Sequence, residues 1–174
     1  NFLPDIVILN AGIFRLDGDE FIWTDYQKIF KVNCEGSLKW VECYLPKFKE
    51  RKRGHFVYIS SLSAKLSSPL LSMYAASKAY TSMVFKYLKK NYASTGIRFT
   101  QVFPGLIKTP MSADLKVSGV FSCSASKASE KILRCIDSGK RDLYFPYLRI
   151  LIQPLIILVP IKILSKLLNR NGLI

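Results

Sequence analysis

Four short runs rich in strand-forming residues alternate with stretches of helical period, and that alternation confines the chain to one class of fold. Asp5-Ile6-Val7-Ile8-Leu9 is apolar after its first residue, the pattern of a strand buried on both faces. Residues 54–61 (GHFVYISS) form the second run, 97–103 the third and 142–145 the fourth. Between the first two, residues 21–44 read as a helix in two pieces. Ile29, Phe30, Val32, Leu38, Val41 and Leu45 supply its apolar spacing. Thr24-Asp25 is placed to cap the first piece, and Pro46 to end or bend the second. Residues 70–91 are the next long helix, with Met73, Ala76, Tyr80, Met83, Val84 and Tyr87 stepping by three and four, and 125–136 are the third. Strand and helix in alternation predict an α/β protein, a doubly wound parallel sheet with right-handed crossovers and helices on both faces.

In such sheets ligands bind beyond the carboxyl ends of the strands. Asn10-Ala11-Gly12, Ser61 and Pro104-Gly105 all fall at predicted strand ends. Tyr74 and Lys78, four apart on a predicted helix, lie one turn apart on one face. A nearby ammonium favours the phenolate and should lower the tyrosine's pKa, which suits proton transfer to or from an oxygen. Both residues lie off the apolar stripe, where a side chain serving a cleft belongs. Alone the pair says little, since chance accounts for one in a chain with nine tyrosines and this many lysines. Asn33 interrupts a helical stretch that disfavours asparagine; by itself it reads as an exposed or locally bonded polar residue. The Ser-rich stretch 111–124 is either a connector or a mobile flap over a site.

In chain order the polar residues are Asn10-Ala11-Gly12, Asn33, Ser61, Tyr74 with Lys78, and Pro104-Gly105-Leu106-Ile107-Lys108-Thr109. Ser61 precedes Tyr74 by thirteen residues. Residues 5–145 thereby resemble the short-chain dehydrogenase/reductase family, in which an NAG strand end, a helical Asn, a Ser thirteen before YxxxK and a PGxxxT turn recur in that order. The resemblance implies a Rossmann-like sheet, here partial and beginning near the family's fourth strand. It implies NAD(P)-dependent interconversion of a carbonyl and an alcohol by hydride transfer. Tyr74 would be the general acid or base. Lys78 would lower its pKa and bond the nicotinamide ribose, and Ser61 would hold the substrate oxygen. Asn33 would anchor a water linking Lys78 to solvent. Pro104, Gly105 and Thr109 would contact the nicotinamide end, and Asn10, Ala11 and Gly12 would border the adenosine side. Ser60 and Ser63 compete with Ser61; the spacing selects Ser61. The family's TGxxxGxG turn, which cradles the pyrophosphate at a helix N-terminus, does not occur in the sequence. The chain, beginning at Asn1, therefore reads as the C-terminal part of a longer enzyme or as a degenerate relative. The cofactor is NAD or NADP, with NADPH slightly favoured. Without the family's first strand beside it, the run 6–9 is expected to be an apolar edge that makes this chain poorly soluble. Pairing through the two long helices is implied, giving a homodimer or homotetramer.

A net charge of +14 attracts nucleic acid, anionic lipid or phosphorylated ligands, and five of the seven residues from Lys47 to Arg53 are basic, the composition of a solvated helix end. The 49% hydrophobic fraction excludes a disordered chain. No RNP, helix-turn-helix or zinc-finger pattern supports a nucleic-acid partner. Four cysteines without a CxxC pair, and the single His55, argue against a zinc site or a disulfide framework. That places the chain in a reducing, cytoplasmic setting, with peripheral contact at a membrane's cytoplasmic face as a variant. The chain is expected to divide into a partial Rossmann-type domain with the catalytic half, 1–146, and an apolar, basic tail, 147–174. Twelve tail residues from Ile150 to Ile161 carry no charge, and Arg149, Lys162, Lys166 and Arg170 flank them. An interfacial anchor and a helix covering the substrate cleft or a dimer interface both fit. If the tail meets lipid, the substrate is an apolar, lipid-like carbonyl or alcohol. Two other readings stay open: a non-catalytic remnant, and a basic membrane-surface binding protein.

Overall fold

The computed structural model describes residues 3–18, 20–65, 71–113 and 122–146; the tail lies outside them. The strands are β1 (Ile6–Leu9), β2 (Gly54–Ile59), β3 (Ile97–Pro104), β4 (Leu106–Lys108), β5 (Ser122–Ser124) and β6 (Asp142–Phe145). The helices are α1 (Trp23–Phe30), α2 (Ser37–Glu50), α3 (Ser72–Asn91) and α4 (Ala125–Asp137). The four strands read from the sequence form one parallel sheet in the order β1-β2-β3-β6. Leu9 pairs with Tyr58, Ile59 with Val102 and Pro104 with Phe145, so the carboxyl ends line up along one edge.

Both faces of β2 are buried. On one face Phe56 and Tyr58 join Phe48 of α2, Phe85 and Leu88 of α3, and Phe99. Ring centroids there lie 4.9 Å (Phe48–Phe56) and 5.3 Å (Phe56–Phe99) apart, the spacing at which aromatic pairs add to area burial. On the other face Val57 and Val102 pack with Ala128 and Ile136 of α4 and with Phe145. β1 pairs only with β2 among the described residues, and Ile6 and Ile8 are 40% and 50% exposed.

Several local expectations are corrected. Thr24-Asp25 does not cap α1; Ile22 occupies the cap position without a side-chain bond, and the Asp25 carboxylate instead pairs with Arg15 and Lys28. The two helical pieces are fused by a π-helical turn, Lys31–Gly36. Pro46 does not end α2, which runs on to Glu50 with the proline on its exposed side. The segment after β3 forms a second, two-stranded parallel sheet, β4 with β5, because three-residue strands are too short to leave a period in the sequence. The apolar stripe of α3 also faces outward: Tyr80, Met83 and Tyr87 are 48%, 66% and 63% exposed.

His55 is buried on β2 and has a consequence for stability. Its Nε2 lies 2.9 Å from Thr100 Oγ1, whose own proton goes to the Lys140 carbonyl oxygen (3.0 Å), so Nε2 must be the donor. Nδ1 then faces the interior without a partner among the described residues. Burial, with Arg98 adding to it, lowers the pKa to about 4 from 6.5. The unfolded chain therefore binds a proton that the folded chain refuses between those values. Stability from this group is complete above about pH 6.5 and falls by about 3 kcal/mol as the pH drops to about 4. Urea midpoints followed across that range should decline in the unmodified chain and stay flatter in His55→Asn.

Candidate active site

The aligned strand ends carry the loop 10–22 after β1, the Ser60-Ser61 segment after β2 and the Gly105 turn after β3. Gly12 is where this loop meets the helices. A Cβ placed there would stand 3.3 Å from Lys78 Nζ and 3.4 Å from Asn33 Oδ1, so a side chain at this position would crowd the lysine's ammonium and rest against the asparagine.

Asn33 sits in the π turn, fully buried, where the wider helix brings a side chain into register with its neighbours. Its Oδ1 accepts from the Ile13 amide (2.8 Å). Its Nδ2 donates to the Ile13 carbonyl (2.9 Å) and to Ser77 Oγ (3.0 Å). Ser77 Oγ in turn donates to the Tyr74 carbonyl (2.7 Å). One asparagine thus ties the β1 loop to the turn of α3 that bears Tyr74. This is more than the locally bonded residue that the sequence suggests when Asn33 is read alone. Ser77 was not singled out from the sequence, although it stands inside the Tyr74–Lys78 interval.

Lys78 is buried, and its Nζ donates to the Ile59 carbonyl (2.9 Å) and lies 5.8 Å from the Tyr74 ring centroid and 5.3 Å from that of Tyr58. Burial lowers its pKa to about 8, with the Cys34 thiol opposing the shift. Tyr74 moves opposite to the direction expected from its lysine: burial raises its pKa, and the Ser61 hydroxyl beside it pulls the other way. Desolvation outweighs the Ser61 hydroxyl here, leaving Tyr74 a phenol at neutral pH, the form that can donate a proton.

Of the competing serines, Ser60 is buried with its Oγ 2.7 Å from Ser82 Oγ, pointing into the core. Ser61 is the one beside Tyr74, and its Oγ accepts from Ser63 N and Oγ (3.2 and 2.8 Å). Pro104 ends β3, and the Gly105 amide donates to the Phe145 carbonyl (2.7 Å). Thr109 caps a short 3-10 turn, its amide donating to Ser112 Oγ (3.1 Å). Asn10 and Ala11 are exposed at the end of β1. Next to Tyr74, Phe14 presents its ring edge at a centroid distance of 5.9 Å. Ile13, Phe14, Arg15, Leu16, Pro110 and Met111 line a cavity of about 590 Å³. These lining residues carry no motif, and only the fold brings 13–16 and 110–111 together.

The family model described as short chain dehydrogenase matches residues 4–118. An uncharacterized oxidoreductase of Myxococcus xanthus is 30% identical over 144 residues, covering 82% of this chain and 57% of the relative. Dehydrogenase/reductase SDR family member 7B of Rattus norvegicus is 39% identical over 111 residues, 63% of this chain and 34% of the relative. The chain thus spans about a third to three-fifths of these relatives' lengths. Among solved structures, a short chain dehydrogenase from Burkholderia cenocepacia in complex with NADP superposes with a TM-score of 0.72 at 23% identity, covering 80% of this chain and 58% of that one. A gluconate 5-dehydrogenase from the same organism, in complex with NADP and tartrate, gives 0.63 at 28% identity, covering 68% and 47%.

Proposed function

Because the chain belongs to the short-chain dehydrogenase family, we propose that it carries the catalytic half of an NAD(P)-dependent oxidoreductase that interconverts a carbonyl and an alcohol. The observation that carries this reading is Tyr74, protonated by burial, beside the Ser61 hydroxyl and one helical turn from a buried Lys78. The remaining chemistry fits a nicotinamide nucleotide. Of the three Lys78 donors one goes to the Ile59 carbonyl, and the others suit ribose hydroxyls. Gly12 leaves the close approach open, and Pro104, Gly105 and Thr109 would border the nicotinamide. The bound nucleotide supplies the hydride, which no side chain can. Ser61 donates to the carbonyl oxygen as negative charge builds on it, and Tyr74 delivers its proton there. Asn33 keeps the β1 loop and the tyrosine's helix in register, with its water-anchoring role part of the proposal. The lining of the cavity beside Phe14 favours a carbonyl compound with an apolar flank; a panel in which short polar ketones react best would overturn that preference.

The test is a fluorescence titration of the chain with NADPH and with NADH. Saturable binding is expected, weaker in Lys78→Ala and weaker as the pH rises through about 8, where Lys78 loses its charge. A folded chain that binds neither nucleotide would overturn the reading for this chain.

The outward face of α3 at Tyr80 and Met83 supports pairing with a second copy. Replacing Tyr80 and Met83 with glutamate should leave the circular dichroism unchanged while the sedimentation mass falls to that of a monomer. A mass unaffected by the double change would remove this face as the contact.

A further inference from the structure

In a parallel sheet with crossover helices, the amino ends of the strands and the carboxyl ends of the helices share one end of the molecule, opposite the site. Here that end collects cations from segments far apart in sequence. α2 closes through Lys49 into a turn holding Lys52, α3 closes at Lys90, Arg98 opens β3, and Lys140-Arg141 lead into β6; all six are exposed. Contacts join these turns into one surface. Lys49 Nζ lies 5.9 Å from the Tyr92 ring beyond α3. The Lys52 carbonyl abuts Gly96, and the Arg98 guanidinium reaches the Gly139 turn. Lys89 Nζ donates to the Arg141 carbonyl (3.0 Å).

The acids at this end do not cancel the charge. Asp5 pairs with Arg51 and Arg53, and Asp142 with Lys89; Glu50 and Asp137 add two exposed carboxylates. None of the six cations forms an ion pair among the described residues.

The form of this surface narrows its partner. Helix carboxyl ends present carbonyls, whereas a bound phosphate needs the N–H groups of a helix start or a nest. A spread of lysines and arginines without such a cradle suits a plane of many anions. Tyr87, exposed on the last turns of α3, adds a ring of the kind found at membrane interfaces. We propose that this end docks the protein on an anionic lipid surface, with the strand carboxyl ends and the site facing away from it.

The test is sedimentation of the full chain with vesicles of phosphatidylcholine alone and of equal parts phosphatidylcholine and phosphatidylserine. Binding is expected only to the second, declining with salt. Lys49→Glu/Lys52→Glu/Lys90→Glu should weaken it at least roughly a hundredfold, at about fivefold per lost lysine before the repulsion of the new carboxylates. Lys31→Glu/Lys39→Glu/Lys127→Glu, which removes equal charge elsewhere, should bind nearly as well as the unmodified chain. Equal loss in both triple variants, full binding by the first, equal binding to both vesicles, or preference for single-stranded RNA over the anionic vesicles at matched salt would each overturn the proposal.

Discussion

Tyr74→Phe will lower carbonyl reduction roughly 10²–10⁴-fold, the usual contribution of a positioned proton donor, while nucleotide binding persists. The substitution removes one oxygen and leaves the ring, so the edge contact with Phe14 and the backbone bond from Ser77 remain. Neither Ser60 nor Tyr58 is placed to take over the proton. Ser60 is turned into the core against Ser82. The Tyr58 hydroxyl is fully buried, with a pKa raised by that burial. The assay needs a chain in which NADPH binding has been demonstrated, so that lost turnover is separable from lost cofactor. Turnover of the variant within a few-fold of the unmodified protein would remove Tyr74 from the chemistry.

Gly96→Ala will destabilise the fold by about 3 kcal/mol or more, among the larger effects a single methyl can have. Gly96 has a φ of +78°, and a Cβ there would stand 2.1 Å from the Lys52 carbonyl oxygen. That carbonyl is backbone, in a turn whose own Lys52 has a φ of 51°, so it cannot swing aside as a side chain would. The turns after α2 and α3 would have to separate, and they feed β2 and β3 in register, Gly54 opposite Ile97. Gly18→Ala, with nothing within 4 Å of the added carbon, is the control and should leave the unfolding midpoint nearly unchanged. Equal midpoints for the two variants in a urea titration would refute the argument.

The sheet was legible because its strands are short runs rich in apolar and β-branched residues, most fully buried in β2, where both faces meet helices. The order of the site residues was legible because each stands where a strand stops or a helix turn faces one. The burial of α3 was not. Its inward face carries Ser77, Lys78, Thr81 and Ser82, and their polar atoms are satisfied by Asn33, by the Ile59 carbonyl, by the Ser77 carbonyl and by Ser60. A polar face that finds its partners inside leaves the same pattern as a polar face in water, so spacing alone assigns it outward. The direction of the Tyr74 shift was hidden for a related reason: proximity to Lys78 shows in the sequence, and the depth of burial does not.

The π turn between α1 and α2 acts as a phase adjuster. Ile29, Asn33, Ser37 and Val41 are all buried, at intervals of four along one rod. In a regular helix three such steps would carry the last residue about 120° around the axis from the first. The extra residue in the turn takes up most of that rotation, so the clamp on the β1 loop and the core contact of Val41 share a face. Removing one residue between Lys31 and Gly36 would therefore behave as a rotation of everything after it. Val41 and Phe48 would swing from the sheet and their exposed neighbours would swing in, so the rod tolerates substitutions along its length far better than a change in its count.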